Sequence, residues 1–161
     1  MKRIIVLRGK PTAGKSTAFF NLKKRKEMRK FLFIDHCSLK NKLGKEQGKK
    51  ALFEEIKNLL PTKKDIVIEE MSKETLRKNM GYYLRKYKYF IIVFQFEVSK
   101  LEAYKRNIQR ARERWHPKME KEWIDKMYAL HEQRFDRKAI LVDCDKLNKK
   151  QVVEFIIKKL K

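Results

Sequence analysis

The chain opens with Lys2-Arg3-Ile4-Ile5-Val6-Leu7-Arg8, a β-branched run, and breaks at once into Gly9-Lys10-Pro11-Thr12-Ala13-Gly14-Lys15-Ser16-Thr17. No other stretch limits the fold so sharply. An Ile/Val run of this kind reads as a buried strand. The residues from Gly14 to Met28 read as a helix, with Phe19, Phe20 and Leu22 facing inward. Strand, glycine loop and helix in that order aim successive backbone N–H groups at one point, where the helix N-terminus adds its partial positive charge. The pattern G-x-x-x-x-G-K-[ST] is met at every fixed position. Gly9 and Gly14 let the backbone curl, and Gly9, Thr12, Ala13, Gly14, Lys15, Ser16 and Thr17 are the expected nucleotide-binding residues. Lys15 would bridge the β- and γ-phosphates, Ser16 would offer its hydroxyl to magnesium, and Thr17 would lie nearer the α-phosphate.

Further along, strands and helices alternate. Strands are expected at 31–35, 65–70, 89–96 and 139–144. Helices are expected at 48–60, 72–86, 99–115, to about 135 after a loop at His116-Pro117, and at 149–160. Pro61 stops the second helix. The strands lack polar alternation, so both faces are covered. The expected fold is therefore α/β: a five-stranded parallel sheet between helical layers, which with the phosphate loop makes a three-layer P-loop NTPase or kinase architecture with a short helical lid at about 106–120. At 161 residues the chain reads as one domain, 1–161, with ligands at the C-terminal ends of the strands.

Composition narrows the partners. Lys plus Arg is 43 against 20 Asp plus Glu, a net charge of +23 that favours polyanions such as nucleic acid. Two cysteines, Cys37 and Cys144, give no disulfide framework or disulfide-linked partner, and with three scattered histidines they give no zinc spacing. The apolar runs are too short for a membrane span and no signal peptide is visible, so a cytoplasmic protein is expected.

The chemistry should stand at the other strand ends. Asp35 closes the second strand, where a carboxylate can orient a hydroxyl toward the γ-phosphate and accept its proton; the alternative is a helix-capping aspartate. Glu69 and Glu70 close the third strand in a Walker B arrangement, and only one of the two should face the site, to hold a magnesium-bound water or an acceptor-site base. Arg106, Arg110 and Arg114 lie four apart on one helix face, opposite Leu101, Tyr104, Ile108, Ala111 and Trp115 as the expected buried face. Guanidinium groups in line call for an anion between them, and an arginine on a migrating phosphoryl group is worth about 10³–10⁵ in rate. Tyr82, Tyr83, Tyr87 and Tyr89 can either track a single strand by stacking or serve as packing. The Asp143–Asn148 loop is a candidate base pocket.

With these residues in view, the sequence resembles the phage-type P-loop polynucleotide kinases and, more broadly, the small kinase family that includes zeta toxins. Gly9–Thr17, Asp35, the Glu70–Arg77 segment and Lys105-Arg106-Asn107-Ile108-Gln109-Arg110 carry the likeness. The resemblance implies Asp35 as general base for a 5′-hydroxyl, Arg110 as the lid arginine on the transferred phosphate, and Glu70 in support of the acceptor site. It departs at Ser38, where the family has an arginine that grips the acceptor's phosphate; Lys40 or Arg77 would have to substitute, and a lysine cannot make the bidentate contact. No phosphatase domain is expected after the kinase unit. The leading expectation is a magnesium-dependent kinase using ATP or GTP on the 5′-hydroxyl of single-stranded RNA or DNA, with Lys15, Asp35 and Arg110 catalytic. A small-molecule acceptor and a nucleotide-switched nucleic-acid-binding module are the alternatives.

Overall fold

The structure is a computed structural model that describes residues 2–69, 71–113, 118–133 and 138–161. Five strands form one sheet: β1 (Lys2–Gly9), β2 (Leu32–Ile34), β3 (Ile66–Glu69), β4 (Tyr89–Glu97) and β5 (Ile140–Asp143). Their order is β2-β3-β1-β4-β5, and all pairs are parallel. Among the described residues seven helices flank them: α1 (Lys15–Lys23), α2 (His36–Leu43), α3 (Lys45–Leu59), α4 (Lys73–Lys86), α5 (Lys100–Arg112), α6 (Lys121–Gln133) and α7 (Lys149–Leu160). This is the expected α/β architecture.

Both sheet faces are buried, which explains the missing polar alternation. Ile5, Leu7, Val67, Phe94 and Phe96 pack under α1 and α7, with Phe19, Val153 and Ile156 among their partners. Ile4, Val6, Ile66, Ile68 and Val93 pack on the other side against Leu52 and Ile56 of α3 and Leu76, Met80 and Leu84 of α4. The β1–β4 pairing is the longest, from Lys2↔Tyr89 to Gly9↔Phe96, and it fixes the end of β1 beside the end of β4. Among the described residues no helix is long and apolar enough to cross a membrane.

Three local expectations change. The first helix ends at Lys23, and Lys26–Met28 forms a 3-10 turn; Phe20 stays 46% exposed, its ring edge-on to Phe19. His36–Leu43 is a helix that apolar periodicity did not reveal, because it buries only His36 and gains its start from the Asp35 cap. Gly44, at φ +80, breaks it from α3, and Gly48 then lets the two helices touch: a Cβ there would lie 2.6 Å from the Cα of Lys40. Finally, α5 buries Ala103 and Asn107, while Leu101 and Ile108 are exposed at 67% and 42%. The inward face is thus the one beside Arg106 and Arg110, and Trp115 lies outside the described residues.

Candidate active site

The loop after β1 is held by backbone contacts. Gly9 lies so close to β4 that a Cβ would sit 2.1 Å from the carbonyl oxygen of Phe96, and its φ is +149. The N–H of Lys10 donates to that same carbonyl at 3.3 Å. Gly14 takes the left-handed conformation at φ 89 and leads directly into α1. Thr12 is also left-handed, at φ 59, a conformation a threonine holds only where the surroundings impose it. No side chain caps α1, so its first N–H groups face the concave side of the loop without a capping partner. Lys15 is buried, and its Nζ donates to the carbonyls of Gly9 (3.0 Å) and Lys10 (2.9 Å). The ammonium therefore lies across the loop's mouth, on oxygens that phosphate oxygens can replace. Ser16 and Thr17 open to solvent in the first turn of α1.

A second layer of side chains grips this loop, and the sequence reading did not find it. Lys10 pairs with Glu97 at 2.8 Å, and its Nζ lies 4.8 Å from the ring centre of Tyr128 on α6. The buried Gln95 donates from Nε2 to Glu97 at 2.9 Å. Tyr128 donates its hydroxyl to the carbonyl of Val98 at 2.9 Å, which pins α6 across the end of β4. One helical turn on, His131 lies in the field of the loop: burial, then the charges of Lys15 and Arg8, push its pKa down to about 4, with Glu97 opposing. Glu97, as an acid closing an apolar strand, carried the same signal as Asp35. His131 carried none, since only the fold brings α6 to the loop.

On the other flank, Arg106 ties three elements together. It pairs with Glu102 at 2.9 Å, donates to the carbonyl of Cys144 after β5 at 2.6 Å, and reaches the carbonyl of Thr12 at 3.5 Å. Thr12 in turn donates its hydroxyl to the Ala103 carbonyl at 3.3 Å. Asn107 clasps the backbone N–H and C=O of Met119, joining α5 to the residues just before α6. Arg110, one turn beyond Arg106, is partly buried, and burial lowers its pKa. Among the described residues its side chain has no hydrogen bond or ion pair, so a partly desolvated cation stands one helical turn from Arg106. Arg114 and the His116-Pro117 loop lie outside the described residues.

The residues expected to hold an acceptor are more scattered. Asp35 caps α2, accepting from the N–H of Ser38 at 2.8 Å on Oδ1. It stands at the end of the edge strand β2, two strand spacings from β1, or about 10 Å. Glu69 ends β3 in register with Leu7 and is fully buried. By strand alternation it shares a sheet face with Val67 and therefore with α1, the helix that carries Ser16. Glu70 lies outside the described residues. Lys40 sits on α2 with its backbone against Gly48. Arg77 does not join Asp35; it lines a groove with Gly81, Leu84, Arg85, Tyr89, Phe90 and Ile91, where β4 begins.

No protein-family model matches the sequence, and a search of curated proteins finds no match. Solved structures do match in fold. A sugar kinase from Janibacter sp. HTCC2649 superposes with TM-score 0.69 at 14% identity, over 99% of this chain and 95% of its own. Kti12 from Chaetomium thermophilum, in complex with ADP-AlF3, gives 0.64 at 20% identity over 98% and 99%. The Pnkp1/Rnl/Hen1 RNA repair complex contains a chain that gives 0.61 at 19% identity, over 85% of this chain and 47% of that one. The chain has the fold of the P-loop kinases.

A nucleoside triphosphate at this loop would come with a magnesium ion. Among the described residues no three carboxylate, histidine or cysteine side chains gather for a metal. Magnesium in a phosphate site needs only one or two protein oxygens, with phosphates and water completing its octahedron. The Ser16 hydroxyl, open to solvent, and the Glu69 carboxylate on the same side of the sheet are hard oxygen donors of that kind. They fit magnesium.

Proposed function

We propose that the chain is a nucleoside-triphosphate-dependent kinase that transfers the γ-phosphoryl group to the 5′-hydroxyl of a polynucleotide. What supports it is what stands at the C-terminal ends of the strands: a backbone cradle with Lys15 across its mouth and the strand-end carboxylate Asp35, with Arg110, partly buried and without an acid partner among the described residues, one helical turn from Arg106. In this reading the loop N–H groups and the uncapped start of α1 bind the β- and γ-phosphates of ATP or GTP. Lys15 leaves the Gly9 and Lys10 carbonyls to bridge them, and Arg110 neutralises the charge that spreads over the equatorial oxygens. Asp35 orients the acceptor hydroxyl and takes its proton as that oxygen bonds to the γ-phosphorus. The bond from phosphorus to the β-phosphate oxygen breaks, and the nucleoside diphosphate leaves with the electron pair. Ser16 and Glu69 would hold magnesium, directly or through water, and the ion would neutralise phosphate charge when bound.

A polynucleotide acceptor accords with the charge of +23 and with the likeness to a chain of an RNA repair complex. A small-molecule acceptor is the second reading. It draws on Ser38, which offers no guanidinium to an acceptor phosphate, and on the end-to-end likeness to a sugar kinase. Incubation with γ-labelled ATP or GTP, magnesium and either a 5′-hydroxyl oligonucleotide or a panel of sugars and nucleosides separates the two. Label on the oligonucleotide is expected; label confined to a metabolite refutes the polynucleotide reading.

A further inference from the structure

We infer that the groove between the second half of α4 and the start of β4 is a binding site for the body of a single-stranded polynucleotide, remote from the phosphate loop. The inference rests on the polynucleotide reading for its biological sense, but its physical basis is separate. The groove has a volume of about 310 Å³ and is walled by Arg77, Arg85, Leu84, Phe90 and Ile91 over a floor at Gly81. Gly81 matters because it leaves the floor low: the nearest atom to a Cβ there would be Nη1 of Arg85, at 3.5 Å. That guanidinium is therefore folded over the glycine, into the groove. Among the described residues neither Arg77 nor Arg85 has a carboxylate partner. Phe90 is 39% exposed at the groove's edge, and Tyr82 on the adjoining turn is 64% exposed.

The groove exists because the sheet is uneven. β5 pairs with β4 only from Phe94 to Glu97, so among the described residues Tyr89–Val93 carry no strand on that side. The segment Lys73–Phe90 holds six Lys or Arg and one acid, Glu74. Two guanidinium forks without carboxylates, beside an open aromatic face, match a phosphodiester chain with unstacked bases: phosphates go to the arginines and a base stacks on the ring. An acidic peptide would be served by the surrounding lysines and has no use for the ring.

Two of the four tyrosines in this stretch are excluded by their contacts. Tyr89 is buried, with its hydroxyl on the carbonyl of Lys64 at 2.7 Å, and Tyr83 packs beneath Lys57. From Phe90 to Phe96, beside the phosphate loop, is about 20 Å along β4. At a stacked rise of about 3.4 Å per nucleotide, a strand needs about six nucleotides to reach both places.

Fluorescence anisotropy with a labelled 20-nucleotide single strand and a labelled trinucleotide tests this without requiring phosphoryl transfer. Arg85→Glu is expected to weaken the 20-mer about tenfold and to reduce the salt slope of its log K by about 0.7. Phe90→Leu, which keeps apolar bulk, should cost about fivefold through lost stacking. Trinucleotide binding should not change in either variant. Unaltered 20-mer affinity in both folded variants overturns the site. So does equal weakening of the 20-mer and the trinucleotide, which would mean an effect at the phosphate loop. Equal, Arg85-dependent affinity for a polyglutamate peptide overturns the assignment to nucleic acid. If no oligonucleotide is phosphorylated yet the 20-mer behaves as expected, the proposed activity fails and the groove stands.

Discussion

The two halves of the proposed site are built by different means. On the donor side the chain's backbone does the shaping: Gly9 pressed against Phe96, Gly14 and Thr12 in left-handed conformations, and an α1 terminus left without a side-chain cap. On the acceptor side single side chains decide, and most have a second duty. Asp35 starts α2, and Lys40 packs against α3 at Gly48. A site made of backbone tolerates almost no change at its glycines but little depends on any one neighbour. A site made of side chains can be retuned position by position while the backbone stays as it is.

That contrast is sharpest in the largest expected effect. Lys15→Ala removes the side chain seated on the Gly9 and Lys10 carbonyls while the backbone nest survives. Transfer to any acceptor should fall by at least about 10³-fold, with nucleotide binding weakened less, because the loop N–H groups and the α1 terminus still hold phosphate. Single-turnover transfer and equilibrium titration with a fluorescent nucleotide read the two separately. Full transfer by the variant would break the donor half of the comparison.

Asp35 tests the acceptor half, and its double duty can be split. Asparagine caps a helix about as well as aspartate, whereas alanine does not. Asp35→Asn should therefore keep the melting temperature and lose about 10²-fold in turnover, while Asp35→Ala should lose turnover and about 1 kcal/mol of stability together. Turnover unchanged in Asp35→Asn would leave this carboxylate as a cap alone.

The same division explains what the sequence made legible. The turn between β1 and α1 could be read, because a backbone cradle demands glycines at fixed spacing after a buried strand. The sheet was legible because strands covered on both faces are continuous apolar runs, and α7 because Val152, Val153, Ile156, Ile157 and Leu160 fall on one face. What escaped depended on side chains meeting across the fold. The buried face of α5 was misjudged because Leu101 and Ile108 are apolar yet exposed, while Asn107 is buried against Met119. α2 has no apolar face to give it away. His131 and Tyr128 belong to the donor half only through the way α6 crosses the end of β4.

His131 supplies the smallest effect and the finest test of how closely that second layer grips the loop. An unfolded histidine titrates near 6.5, whereas burial and the charges of Lys15, Arg8 and Lys10 bring this one down to about 4 in the folded chain. Between those values the unfolded chain carries a proton that the native one refuses, so this contribution to stability is complete above about 6.5 and drains away as pH falls toward 4. The melting temperature should drop over that interval, and His131→Leu should flatten the part of the drop that lies above the carboxylate range. Added nucleotide should flatten it too, since phosphates beside Lys15 offset the cations that hold His131 neutral. A wild-type curve between pH 6.5 and 5 that coincides with that of His131→Leu would mean the α6 histidine does not feel the loop, and the grip on the donor side would then end at Lys10, Glu97 and Tyr128.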